Sequence, residues 1–286
     1  MTAAVLFLFA ASPWFGRWDL AVGENGGWME VATTGVRIVP RVGGVKAIDA
    51  YSLNRDHLSF SNTEWVGKWE QVKYDLFLRD GRVEGTATRE SGTAVPVAGI
   101  PAPPLRREIR KWGAPIDLTT DLATWKVMSP TKPGNWTLDG GVLANAKSGP
   151  NLRTVADFQD FRLDLEFNCP AGSNSGIFLR GRYELQIEEE ADNHDPLGKT
   201  GSIYQFLAAA SPLPSRPGQW RKLSVTLAGR SVTVTLDGVR IIDGLEIPGP
   251  TSGGFNSREE QPGPIILQGD HGPVLFRKII LTPGLP

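Results

Sequence analysis

The sequence predicts an all-β protein in two parts, a small N-terminal β-meander or barrel followed by a larger jelly-roll β-sandwich. Three observations carry that prediction. Glycine and proline supply 33 and 22 of the 286 residues, too many for a helical bundle and well suited to short strands joined by frequent turns. Apolar residues recur with period two in short pieces, the signature of half-buried antiparallel strands. No stretch of ten or more residues keeps a 3.6-residue period, and no repeat of fixed length appears. With 40% hydrophobic residues, the chain has enough apolar material for two modest cores.

Composition also excludes whole classes of function. Thirty basic and thirty-one acidic residues leave a net charge of −1, so no global field recruits nucleic acid or an anionic membrane. Cys169 is the only cysteine, which rules out an intramolecular disulfide framework and a cysteine-built zinc cluster.

Taken in order, the chain opens with Ala3 to Ala11. This apolar run has the length of a signal-peptide core and ends in the small residues Ala10, Ala11 and Ser12, but no basic segment precedes it. Residues 1–12 therefore read as a truncated signal peptide, which implies a secreted or periplasmic protein; the alternative is a first strand running into Trp14. The run is too short to span a bilayer, which takes about 20 apolar residues.

Residues 13–100 carry the alternating pieces Trp18, Leu20, Val22; Val36, Ile38; and Tyr74, Leu76, Leu78. Asp80-Gly81 between two such pieces is the two-residue chemistry of a tight hairpin. Residues 101–115 are a proline-rich linker with Pro101, Pro103, Pro104 and Pro115 and the basic cluster Arg106, Arg107, Arg110 and Lys111. That cluster reads as solvated charge.

Residues 116–286 carry clearer strands. Phe161, Leu163, Leu165 and Phe167 alternate with Arg162, Asp164 and Glu166. Trp220 to Ile242 reads as three strands joined by hairpin turns at Gly229-Arg230 and Asp237-Gly238.

Ser173 to Glu189 is the most informative stretch. Alternation puts Ile177, Leu179, Tyr183, Leu185 and Ile187 on one face and Arg180, Arg182, Glu184, Gln186 and Glu188 on the other. Guanidinium, carboxylate and carboxamide groups about 7 Å apart along a strand suit the hydroxyls of a sugar, although an ordinary solvated face has the same pattern.

The run Asn174-Ser175-Gly176-Ile177-Phe178-Leu179-Arg180-Gly181-Arg182-Tyr183-Glu184-Leu185-Gln186-Ile187 resembles the signature of the 3-keto-disaccharide hydrolase domain family. Further pieces agree in order: Trp136 to Leu143, Asn151-Leu152-Arg153-Thr154, Phe158-Gln159-Asp160-Phe161, Gly201-Ser202-Ile203-Tyr204, Pro217-Gly218-Gln219-Trp220, and Gly263 to Val274 followed by Phe276-Arg277. The resemblance covers about Ile116 to Leu281. It implies a concanavalin A-like sandwich with a carbohydrate-holding concave face. Two positions depart from the family pattern: Glu189 stands where an Asp is usual, and Arg277-Lys278 replaces Arg-Asn.

The activity implied is cleavage of a 3-keto-glycoside by removal of the C2 proton, elimination of the glycosidic oxygen and hydration of the enone. In that scheme Glu184 is the base, Arg180 stabilises the enediolate, and His271 protonates the leaving group. Gln186, Gln268, Tyr204, Arg182 and Glu189 would bind substrate. Glu184, Glu189 and His271 would form a divalent metal site if one exists, and a sugar 3-dehydrogenase would supply the ketone. Two other readings stay open. Glu184-Leu185-Gln186-Ile187-Glu188 is similar to the strand motif of laminarinase-like retaining glycosidases, with Gln186 replacing the middle Asp. The polar row with the nine tryptophans would also suit a non-catalytic carbohydrate-binding module.

Overall fold

The structure is a computed structural model that describes residues 12–40, 42–129, 131–189, 194–210 and 213–286. The signal-peptide reading of residues 1–12 therefore lies, Ser12 apart, outside the described residues. Strands dominate, and the only helix among the described residues is one 3-10 turn at Leu122–Thr124. No described helix is long and apolar enough to cross a membrane.

The first part holds nine strands: β1 (Gly16–Val22), β2 (Asn25–Ala32), β3 (Gly35–Val39), β4 (Lys46–Ile48), β5 (Tyr51–Leu53), β6 (His57–Trp65), β7 (Trp69–Arg79), β8 (Arg82–Arg89) and β9 (Ala94–Pro101). They form one antiparallel sheet in the order β4-β3-β2-β1-β9-β8-β7-β6-β5. Asp80 and Gly81 take φ of 50° and 71° between β7 and β8, the left-handed pair that a tight hairpin demands. A single apolar cluster draws Ile38 and Ile48 from one end of this sheet, Leu58 and Phe60 from the other, and Leu20 and Leu76 from between. One sheet can enclose one core only by curling, and here β4 packs against β6. The result is a small barrel with a seam between those two strands.

The second part holds β10 (Lys111–Trp112), β11 (Ile116–Asp117), β12 (Trp125–Val127), β13 (Trp136–Asp139), β14 (Val142–Asn145), β15 (Leu152–Thr154), β16 (Phe161–Asn168), β17 (Asn174–Leu179), β18 (Tyr183–Glu188), β19 (Arg221–Ala228), β20 (Ser231–Leu236), β21 (Val239–Glu246), β22 (Ile266–Leu267) and β23 (Val274–Leu285). The larger sheet runs β13-β14-β23-β16-β19-β20-β21, with β10 and β11 also pairing β23. The proline-rich stretch thus contributes a short strand of its own. The smaller sheet runs β12-β15-β22-β17-β18. Leu163, Val225, Val234 and Phe276 of the larger sheet share a core with Ile177, Leu179, Leu185 and Ile187 of the smaller one. Burying each of these side chains is worth about 1.5–3 kcal/mol, and a one-residue slip would turn all of them outward. This burial fixes which residues of β17 and β18 face away from the core.

The barrel sits against the sandwich through specific contacts. Trp28 meets Phe206 edge to face at 5.3 Å. Asp19 of β1 is buried beside Glu259, whose carboxylate pairs with Arg230 at 2.8 Å. Burial first, and then the Glu259 charge, push the Asp19 carboxyl far above its usual range. Neither Asp19 oxygen has a donor among the described residues, and the raised pKa keeps this carboxyl protonated at neutral pH beside the Glu259 charge.

Candidate functional site

On the side of the smaller sheet that faces away from the core, three strands bring their polar residues into register. Gly176 of β17 pairs with Gln186 of β18, and Phe178 pairs with Glu184. The amide of Gln268, just past β22, donates to the Gly176 carbonyl at 2.9 Å. Gln268, Gly176 and Gln186 therefore lie side by side across the sheet. Glycine at 176 leaves room for the neighbouring carboxyl: a Cβ there would lie 2.6 Å from Glu184 Oε1 and would push that side chain aside. Without one, the carboxyl lies flat over the strand.

Glu184, Gln186 and Gln268 floor a cavity of about 170 Å³ whose walls come from four loops. The segment after β18 returns along that strand, with Gln186 N–H donating to Ser202 O and Tyr204 N–H to Glu184 O, and it brings Tyr204 to the rim. Thr251 Oγ1 accepts from Glu184 N–H at 2.9 Å and donates to Arg182 O at 3.1 Å, setting Ser252 and Gly253 as a second wall. The loop after β22 contributes Asp270 and His271; Asn145 holds it by donating to the carbonyls of Gly269 and Gly272, and Asn151 accepts from Gly269 N–H at 2.8 Å. The fourth wall, Val42 and Gly43, belongs to the barrel. Ser252 Oγ pins it, donating to Pro40 O and accepting from Gly44 N–H, each at 3.0 Å.

The electrostatics of the pocket centre on Glu184. Burial pushes its carboxyl up to about 8, against the opposing pull of the His271 charge and of a hydrogen bond from Gln268. At neutral pH it is mostly protonated, and when ionised it is a far stronger base than an exposed glutamate. His271 Nδ1 lies 2.8 Å from Asp270 Oδ1. That hydrogen bond, helped by the charges of Asp270 and Glu184, raises the imidazole above its ordinary value despite partial burial. With Nδ1–H held by the carboxylate, Nε2 is the nitrogen that exchanges a proton. Burial also raises the Tyr204 hydroxyl. The carboxamide oxygens of Gln186 and Gln268 are buried without a hydrogen-bond partner among the described residues, a costly state unless a ligand supplies donors.

Glu184, Gln186, Tyr204, Gln268 and His271 thus meet at one cavity, and three other expected site residues do not. Arg180 and Arg182 lie in the three-residue loop between β17 and β18, where Arg180 takes a φ of 52°, so strand alternation does not extend to them. Arg180 is fully buried, donating to Tyr183 Oη at 2.9 Å and Gly229 O at 3.0 Å; Tyr183 in turn donates to Glu259 at 2.6 Å. It staples the hairpin to the larger sheet and does not reach the pocket. The Arg182 guanidinium is used up by Asn256 Oδ1 and the carbonyls of Arg180 and Gln261. Glu189 forms a buried ion pair with Arg221 at 3.1 Å and accepts from Arg216 N–H and Ser215. It does not line the cavity that holds Glu184 and His271, and no group of three or more His, Cys, Asp or Glu among the described residues is arranged to hold a metal ion.

Glu188 also lies outside the cavity lining, so the two outer carboxylates of the laminarinase-like motif do not share it. Arg277 and Lys278 pair with Glu166 on the larger sheet. The residues that sequence reasoning missed are Asn151, Asn174, Asp270, Ser252 and the pair Val42-Gly43. Asn174 has the parity of Gly176, and Asn151 and Asp270 sit inside motif pieces, whereas nothing in the sequence marks Val42-Gly43.

A family model described as 3-keto-alpha-glucoside-1,2-lyase-like domain matches residues 113–282. No curated protein matches the chain. Among solved structures, three proteins of Parabacteroides distasonis ATCC 8503 assigned as glycosyl hydrolases are similar. One is 28% identical, with 60% of this chain and 84% of that chain covered and a TM-score of 0.49. A second is 17% identical over 58% and 91%, with a TM-score of 0.50. A third is 25% identical over 59% and 98%, with a TM-score of 0.46. The second shows a shared sandwich fold.

Proposed function

We propose, from the premise that the chain belongs to the 3-keto-alpha-glucoside-1,2-lyase-like domain family, that its pocket cleaves 3-keto-glycosides by proton abstraction at C2 and elimination at C1. Membership makes this a carbohydrate-processing protein of glycoside-hydrolase type. The finer reading rests above all on one observation: a buried carboxyl with a pKa of about 8 on the floor of a ring-sized pocket. A base tuned near the operating pH is what carbon-acid chemistry needs.

The ketone at C3 acidifies the hydrogen at C2. Ionised Glu184 takes that proton, and the electron pair moves onto the C3 oxygen as an enediolate. Carboxamide and hydroxyl donors of Gln186, Gln268 and Tyr204 hold this oxygen and the neighbouring hydroxyls, in place of the Arg180 that the sequence suggested. When the C3 carbonyl re-forms, C1 and C2 become doubly bonded, the C1–O bond breaks, and the departing oxygen takes a proton from His271. Water added across the double bond then gives the free 3-keto sugar. The ketone itself comes from oxidation of the C3 hydroxyl, the work of a sugar 3-dehydrogenase.

The test is turnover of a nitrophenyl 3-keto-glucoside beside its unoxidised parent. Wild type should release nitrophenol from the keto compound alone, and Glu184→Gln should lower the rate by about 10²–10⁴-fold. Binding of both sugars without turnover of either would make the protein a carbohydrate-binding module.

A further inference from the structure

The cavity of about 170 Å³ is well below the roughly 300–1,000 Å³ of sites that enclose drug-sized ligands. It takes the reacting ring, and the rest of a disaccharide must lie outside. The barrel wall shows where. Gly43 lines the cavity, and a Cβ placed on Gly43 would stand 3.7 Å from Trp69 Cη2 and 3.8 Å from Lys46 Nζ. Trp69 is thus one residue removed from the pocket. It is 56% exposed and meets Trp65, 42% exposed, edge to face at 5.6 Å.

The two tryptophans close the β6–β7 hairpin as the directly paired residues Trp65 and Trp69, on the outer face of the barrel and not in its core. Leaving two large aromatic rings in water at a hairpin tip forgoes their burial energy. Beyond Trp69 the outer face continues into a groove at the barrel seam, lined among others by Tyr51, Ser59, Ser61, Thr63, Gln71 and Lys73. Aromatic faces followed by hydroxyl, amide and ammonium groups match a sugar, which offers an apolar C–H face and a rim of hydroxyls.

We propose that Trp69, with Trp65 behind it and the Gly43–Lys46 segment beside it, forms a leaving-group subsite that the barrel adds to the sandwich's pocket. This rests on the proposed cleavage of 3-keto-glycosides and names where the second sugar sits. Glycosides with a sugar leaving group should gain from the subsite, and those with a small one should not.

The experiment compares kcat/KM for a 3-keto-disaccharide and for methyl 3-keto-glucoside in wild type, Trp69→Ala and Trp69→Phe. In Trp69→Ala the disaccharide-to-methyl ratio should fall about tenfold, with most of it restored by Trp69→Phe; a ratio equal to wild type in Trp69→Ala overturns the subsite. If wild type turns over neither compound, the cleavage reading fails by itself, and the subsite is read from tryptophan-fluorescence titration with unoxidised disaccharide and monosaccharide. Tighter disaccharide binding that is lost in Trp69→Ala upholds it, and equal binding of the two sugars by wild type and variant overturns it.

Discussion

The substitution Glu184→Gln should make the protein more stable, and increasingly so as pH rises. Between an unfolded-state value near 4.5 and a native value of about 8, the folded chain holds a proton on Glu184 that the unfolded chain has released. Stability contributed by the neutral carboxyl is therefore full below about 4.5, falls as pH rises, and levels off above about 8. Over the whole interval the loss is about 5 kcal/mol. Glutamine has nearly the same shape and nothing to ionise, so its stability advantage should grow from under about 1 kcal/mol at pH 5 to about 4 kcal/mol at pH 8. Urea unfolding of both proteins at pH 5, 6, 7 and 8 measures the gap directly. A gap that stays constant across that range would refute the argument, because it would mean that Glu184 ionises in the native state as it does in the unfolded one.

Three other outcomes follow from the same geometry. His271→Gln should lose the alkaline fall of the kcat/KM profile, while the acid limb set by Glu184 persists and moves above about 8, because the nearby positive charge that lowers it is gone; an unchanged alkaline fall assigns that limb to another group. Arg180→Met removes a buried cation from the Tyr183 and Gly229 contacts and should lower stability by about 3–5 kcal/mol in urea unfolding, with kcat/KM per folded molecule kept; a stable but inactive variant would return Arg180 to the chemistry. Ser252→Ala cuts both hydrogen bonds that pin the barrel segment to the pocket wall, so water should enter and the acid limb should shift down from about 8; a limb that does not move shows that the pin plays no part in keeping the pocket dry.

Alternation made most of the sandwich legible, because the two inner faces of its sheets are apolar and a slip of one residue would expose them. The same rule located Glu184 and Gln186, whose neighbours Leu185 and Ile187 are fully buried. It misled at Arg180 and Arg182 because alternation is a property of extended backbone, and these two sit in a loop with left-handed residues. Nor could sequence show that Glu189 is taken by Arg221, or that Tyr183 is bonded to Glu259, 76 positions away. Such pairings carry no local pattern. Val42 and Gly43 escaped for a related reason: they reach the pocket only because a barrel built from a separate stretch of chain packs against it.

That packing explains the chemistry of the site. A carboxyl on the outer face of a sheet would ordinarily be wet and would ionise near 4.5. Here a strand glycine lets Glu184 lie flat, and the 202–204 and 251–253 segments close two sides. The barrel segment closes another, held by the Ser252 hydroxyl between Pro40 and Gly44. Each cover removes water from the same carboxyl, and the resulting rise to about 8 both strengthens it as a base and weakens the fold at working pH. A buried carboxyl that costs stability suits the proposed proton abstraction, which uses its raised basicity, and the unpartnered carboxamide oxygens of Gln186 and Gln268 beside it carry the same sign. In the proposed cleavage the sandwich supplies the reacting groups, and the barrel segment helps to exclude water from them.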